Sequence, residues 1–174
     1  IDSDEYAAHT RIEKQLNILR NSKYGVVGTN CINIYSNNKK TEWGYFNDEE
    51  IAKIINLRVP FPHGSTMFKS NLFYQVNMYN EKYTTSQDFD LWIKLFSISR
   101  ITMINEFLTY RFIDDKSISK NRKIKQFIDS TKIRLSHSNK SNKISILFYS
   151  LYYFLISLIP NKLFLFLYKK TRKL

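Results

Sequence analysis

Ser86-Gln87-Asp88-Phe89-Asp90-Leu91-Trp92 is a polar, acidic lead into an apolar run, and its reading decides the fold. Spacing predicts a helix over Asp88 to Phe96 with Leu91, Trp92 and Leu95 on one face, so both aspartates fall in its first turn. Asp88 has a plain explanation as an N-cap, accepting backbone N–H bonds. A helix N-terminus also favours an ionised carboxylate, which is the state a general base requires. Asp90 projects from a different face and is expected to pair with a basic group.

A second acidic cluster, Ile1-Asp2-Ser3-Asp4-Glu5, stands at the start of the sequence. Asp2 and Asp4 straddle Ser3, so on an extended strand end their carboxylates share a side and could clamp one hard divalent cation, Mg2+ or Mn2+. The ordinary alternative is a solvated acidic loop capping the next helix. Two such clusters are what a metal-assisted group transfer needs: one holds a cation, the other takes a proton.

Between them the pattern alternates helix and strand. Ile12, Leu16 and Leu19 recur at helical spacing after Thr10, a plausible N-cap. Tyr24 to Tyr35 is uncharged and rich in β-branched residues, as in a buried strand, and Thr41 to Phe46 pairs back after a polar turn. Asn47-Asp48-Glu49-Glu50 opens a short helix. Pro60 and Pro62 exclude helix and make a rigid loop into Thr66-Met67-Phe68. A short helix at Asn71 to Tyr74, a turn at Met78 to Tyr83, and strands at Ile101–Asn105 and Phe107–Phe112 follow. In the proline loop, Gly64 lets the main chain approach a ligand closely beside His63 and Ser65. His9 and His137 have no carboxylate or cysteine at ligand spacing. The single cysteine, Cys31, excludes a disulfide framework and a thiolate metal site, and is read as a buried strand thiol.

The net charge of +12 is unevenly spread. Residues 1–115 carry 13 Lys and Arg against 14 acids, whereas 116–174 carry 14 Lys and Arg against Asp129 alone, a net of +13. That segment is drawn to phosphate-rich surfaces. Within it, Ile144 to Asn161 has no charge, with Pro160 near its end. The run is read as an in-plane element at an anionic membrane surface, with packing against the domain and a true span as alternatives. No nucleic acid partner is expected, because the apolar run argues against an electrostatic groove.

In order, Ile1-Asp2-Ser3-Asp4-Glu5, Arg11-Ile12-Glu13-Lys14-Gln15, Tyr24-Gly25-Val26-Val27-Gly28, Phe61-Pro62-His63-Gly64-Ser65-Thr66-Met67-Phe68, Tyr79-Asn80-Glu81-Lys82-Tyr83 and Gln87-Asp88-Phe89-Asp90-Leu91-Trp92 resemble bacterial family 2 glycosyltransferases of GT-A fold. The resemblance runs from Ile1 to about Ser119. It implies an α/β fold: a partial GT-A domain, with a Rossmann-like mixed sheet flanked by helices, over 1–115. Its N-terminal nucleotide-binding half is expected to precede Ile1, and C-terminal helices form a basic, apolar tail over 116–174.

The same resemblance implies inverting transfer of a sugar from a nucleotide-diphosphate donor to a hydroxyl of a glycan or lipid-linked acceptor. Asp88 corresponds to the catalytic base, and Asp2 and Asp4 to the metal-binding pair. Asp2, Ser3 and Asp4 fall on the donor side, and His63, Gly64, Ser65 and Trp92 on the acceptor side. The setting implied is peripheral, on the cytoplasmic face of a bacterial inner membrane, in cell-surface polysaccharide synthesis. The chain departs from the family pattern at Gln87, where Glu is usual, at Glu5, where a third Asp is usual, and at Phe112-Ile113, where many members carry a histidine. Those departures favour the rival reading, a non-catalytic membrane-associated scaffold derived from such an enzyme.

Overall fold

The computed structural model describes residues 4–20, 23–44, 46–113, 120–139 and 142–158. Asp2 and Ser3 lie outside the described residues, as do 159–174. Among the described residues five strands form one mixed sheet: β1 (Glu5–Ala7), β2 (Tyr24–Tyr35), β3 (Lys40–Trp43), β4 (Met67–Phe68) and β5 (Arg100–Ile113). β2 is central. It pairs parallel with β5 on one side and antiparallel with β3 and β4 on the other, while β1 adds antiparallel to the far edge of β5. A strand buried on both faces reads as an uncharged, β-branched run, which is why Tyr24 to Tyr35 declares itself.

Ile101 to Phe112, expected as two strands, is one. Ile104 pairs with Thr29 and Phe107 with Asn30, so Asn105 and Glu106 are skipped in the register and bulge from the ladder. Asn105 is used there: its Oδ1 accepts a hydrogen bond from Asn30 Nδ2 at 2.8 Å.

Among the described residues the helices are α1 (Arg11–Arg20), α2 (Asp48–Ile54), α3 (Ser70–Gln75), α4 (Gln87–Ile98), α5 (Lys120–Ser136) and α6 (Lys143–Leu158), α5 packing on α4 and α6 on α5. α2 opens with a capping box, in which Asn47 Oδ1 accepts the Glu50 N–H and Glu50 Oε2 accepts the Asn47 N–H, each at 2.9 Å. Val26 and Ile101 of the sheet meet Ile51, Ile55, Phe61, Leu91, Trp92 and Leu95 in the main core. The next face of α4 places Phe89 and Ile93 against Ile133 of α5.

α1 is turned from its expected orientation. Arg11, Gln15 and Leu19 are buried, and Ile12 is half exposed. The reason is a satisfied polar network: Gln15 Nε2 donates to the carbonyls of Val27 (2.8 Å) and Ser65 (2.9 Å), and Arg11 donates to Gln15 Oε1 and Thr109 Oγ1, both at 3.1 Å. Leaving the two buried carbonyls unpaired would cost about 1–3 kcal/mol each, together more than the roughly 1 kcal/mol that burying the exposed half of Ile12 would add. Among the described residues no helix is long and apolar enough to cross a membrane.

Candidate functional site

A cavity of about 720 Å³ opens between the sheet edge, the proline loop, the start of α4 and the α5–α6 pair. Asp4, His63 and Asp88 all line it, so residues from the start and the middle of the chain share one cleft.

Backbone pairing holds each in place. The Phe112 N–H donates to the Asp4 carbonyl at 2.8 Å, fixing Asp4 to the end of β5, and Glu5 then pairs in register with Arg111. Arg111 also faces the cavity, with its guanidinium 5.4 Å from the Trp43 ring centre and Nε donating to Asn33 Oδ1 at 3.1 Å. On the far wall Ser86 takes a left-handed backbone, φ 58°, turning the chain sharply into α4. Asp88 follows in the first turn, half-buried, with Oδ1 accepting the Phe89 N–H at 2.9 Å. The N-cap of α4 is Ser86, without a side-chain cap bond, so the expected N-cap role of Asp88 is corrected: it is the second residue of the helix, its carboxylate accepting the adjacent N–H while it lines the cavity.

The proline loop ends in a 3-10 turn over His63–Ser65. Only part of it reaches the cavity. His63 is exposed, its ring 5.6 Å from that of Trp92 and its Nε2 3.2 Å from the Tyr79 hydroxyl. Ser65 is buried, its hydroxyl donating to the Pro62 carbonyl at 2.8 Å. Gly64 is buried against Glu5: a Cβ at that position would sit 1.6 Å from Glu5 Oε2. The acceptor side expected from His63, Gly64 and Ser65 thus narrows to His63, with Pro62 beside it. Trp92 is corrected outright. It is 0% exposed, packed edge-on against Phe61 and Phe68, and serves as the floor under His63 rather than as a contact for an acceptor.

Hard oxygen donors stand where a cation is expected. Asp4 is exposed on the wall, and the neighbouring Glu5 Oε2 is buried without a hydrogen-bond partner. One or two carboxylates suit Mg2+ or Mn2+, whose remaining positions go to water and phosphate oxygens. Among the described residues no group of three His, Cys, Asp or Glu is arranged to hold an ion, so the fit rests on this pair. Cys31 is excluded as nucleophile: burial pushes its thiol up to about 11.

The last third of the chain supplies the remaining wall through Gln126, Phe127, Ser130, Arg134, Ser150, Tyr153 and Phe154. Arg134 joins the pieces: Nε donates to the Leu57 carbonyl at 2.8 Å, Nη1 reaches Ser130 Oγ (3.3 Å) and Ser150 Oγ (3.2 Å), and the guanidinium lies over Phe89. Burial lowers its pKa from the ordinary arginine value. Asp129 accepts from the Thr85 N–H and hydroxyl, at 3.2 and 2.8 Å, anchoring the turn that precedes Asp88. His137 Nε2 lies 2.8 Å from Asp90 Oδ1, and Lys94 Nζ is 3.2 Å from Oδ2. The basic partner expected for Asp90 is found, and His137, to which sequence spacing assigns nothing, is part of it.

No family model and no curated protein matches the chain. Among solved structures it is similar to residues 1–349 of S. aureus TarS, a staphylococcal glycosyltransferase, at TM-score 0.57 and 13% identity, over 87% of this chain and 44% of that one. The chain thus spans less than half of that structure. At this identity the likeness is one of fold: an α/β architecture with a mixed sheet flanked by helices, similar to a glycosyltransferase fold.

Proposed function

We propose that the chain belongs to an inverting, family 2-like glycosyltransferase and carries the base and acceptor side of its active site. The observation supporting this is the meeting of Asp4 and Asp88 in one cavity of a glycosyltransferase-like fold. In this reading Asp88 accepts the proton of an acceptor hydroxyl. The hydroxyl oxygen bonds the anomeric carbon from one side as the bond to the diphosphate breaks on the other, its electron pair leaving with the diphosphate oxygen. Asp4, with Asp2 and Glu5, holds the cation side, and a divalent ion bound there would neutralise the leaving group. His63, held between Trp92 and Tyr79, orients the acceptor. The donor in this reading is a nucleotide-diphosphate sugar.

The test is turnover of nucleotide sugars by the complete gene product with Mg2+ or Mn2+. Asp88→Asn is expected to lower kcat by about a thousandfold while leaving donor affinity unchanged. Undiminished turnover in that variant would refute the base assignment. A wild-type protein that neither turns over nor binds any nucleotide sugar would leave the scaffold reading in its place.

A further inference from the structure

α6 has two unlike faces. Toward the body, Ile146 and Ser150 are buried and Phe154 lies against Phe127, with ring centres 4.3 Å apart. Away from it, Ile144, Leu147, Phe148, Leu151, Tyr152 and Leu155 are 49–69% exposed. These positions step by three and four, so they form one continuous stripe along the helix. A surface helix normally carries charge there, yet no charged residue occurs from Ile144 to Asn161. A row of six large apolar side chains exceeds the scattered exposure of an ordinary surface and marks a contact face.

The charges around the stripe identify the partner. Lys140 and Lys143 precede it, Lys162, Lys169, Lys170, Arg172 and Lys173 follow it in sequence, and Asp129 is the only acid after residue 115. Lysine is depleted at protein interfaces but suits anionic headgroups. Nucleic acid would require cations on the contact face itself, where this helix is apolar. Over its 16 described residues α6 is about 24 Å long, and its one-sided apolar stripe is the pattern of a helix lying in a bilayer plane.

We infer that α6 docks the protein on an anionic lipid surface, the stripe from Ile144 to Leu155 entering the headgroup boundary, with the positive charge that flanks it in sequence favouring anionic lipid. The other side of the same helix lines the cavity through Ser150, Tyr153 and Phe154. Docking therefore holds the cavity about one helix diameter, roughly 10 Å, from the lipid.

Co-sedimentation of the full chain with phosphatidylcholine vesicles, with and without phosphatidylglycerol, tests this without any need for turnover, so its failure and that of the transferase reading are separable. Binding to the anionic vesicles is expected, falling at least about tenfold in the combined Leu147→Ser, Phe148→Ser, Leu151→Ser variant. A Phe148→Cys variant carrying an environment-sensitive dye is expected to brighten on anionic vesicles and to be quenched by brominated acyl chains. No vesicle binding, equal binding to neutral vesicles, undiminished binding by the triple-serine variant, or self-association through the stripe in place of lipid binding would each overturn the inference.

Discussion

His137 Nε2 and Asp90 Oδ1 meet at 2.8 Å, fastening α5 to the helix that carries Asp88. Asp90 is 2% exposed, so its charge is tolerated only because it is paired. Burial alone would raise its pKa; the hydrogen bond from His137 and the ion pair with Lys94 outweigh that and leave it below the ordinary carboxylate value.

A carboxylate with a depressed pKa stabilises the fold above the unfolded value and loses that contribution as pH falls through the folded one. Urea unfolding should therefore show stability declining below about pH 4. Asp90→Asn should cost about 2 kcal/mol at pH 7 and flatten the acid limb. An acid limb of unchanged steepness in the variant would remove the pair from the stability account.

Asp4→Asn should weaken activation by Mg2+ or Mn2+ about tenfold or more, read as a rightward shift of the metal titration of turnover. Coincident titrations for wild type and variant would show that Asp4 holds no cation.

Gly64→Ala sets a methyl group against Glu5 Oε2, which must move away. A loss of about 1–3 kcal/mol is expected, with most of it restored when Glu5→Ala is added. Additive losses in that double-mutant cycle would mean that the two residues do not compete for space.

Cys31 is 0% exposed and its thiol is pushed up to about 11, so at pH 8 little thiolate forms and none of it is accessible. Disulfide-exchange reagents should leave the folded protein untouched and modify one thiol in denaturant. Rapid modification under native conditions would contradict the placement of β2.

The elements readable in advance are those written in local chemistry. Tyr24 to Tyr35 emerges as β2 residue for residue, and Asn47 to Glu50 as a capped helix start, because a double-sided strand and a capping box each have a local pattern. Glu106 reads as a break between two strands, with Asn105 ending the first, since a bulge interrupts alternation just as a loop does. The burial of Arg11 and Gln15 has no local signal: it depends on carbonyls of Val27 and Ser65, which lie far along the chain. The cavity's acids were legible from spacing and resemblance, but Trp92 was misplaced because a residue one turn beyond Asp88 can face either the cleft or the core. The contribution of Arg134, Ser150 and Tyr153 to the cavity was invisible, because their basic and apolar surroundings read equally well as a tail.

The seam between α4 and α5 bears on how the molecule can be cut. A polypeptide ending at Ile113 would retain every described strand, yet it would strip Ile133 from Phe89 and Ile93 and deprive the Thr85 turn of its aspartate. Trimming for solubility at that point would bare a greasy patch directly beneath Asp88 and slacken the segment that aims it, so an inert, sticky truncation product would say nothing about the chemistry of the intact chain.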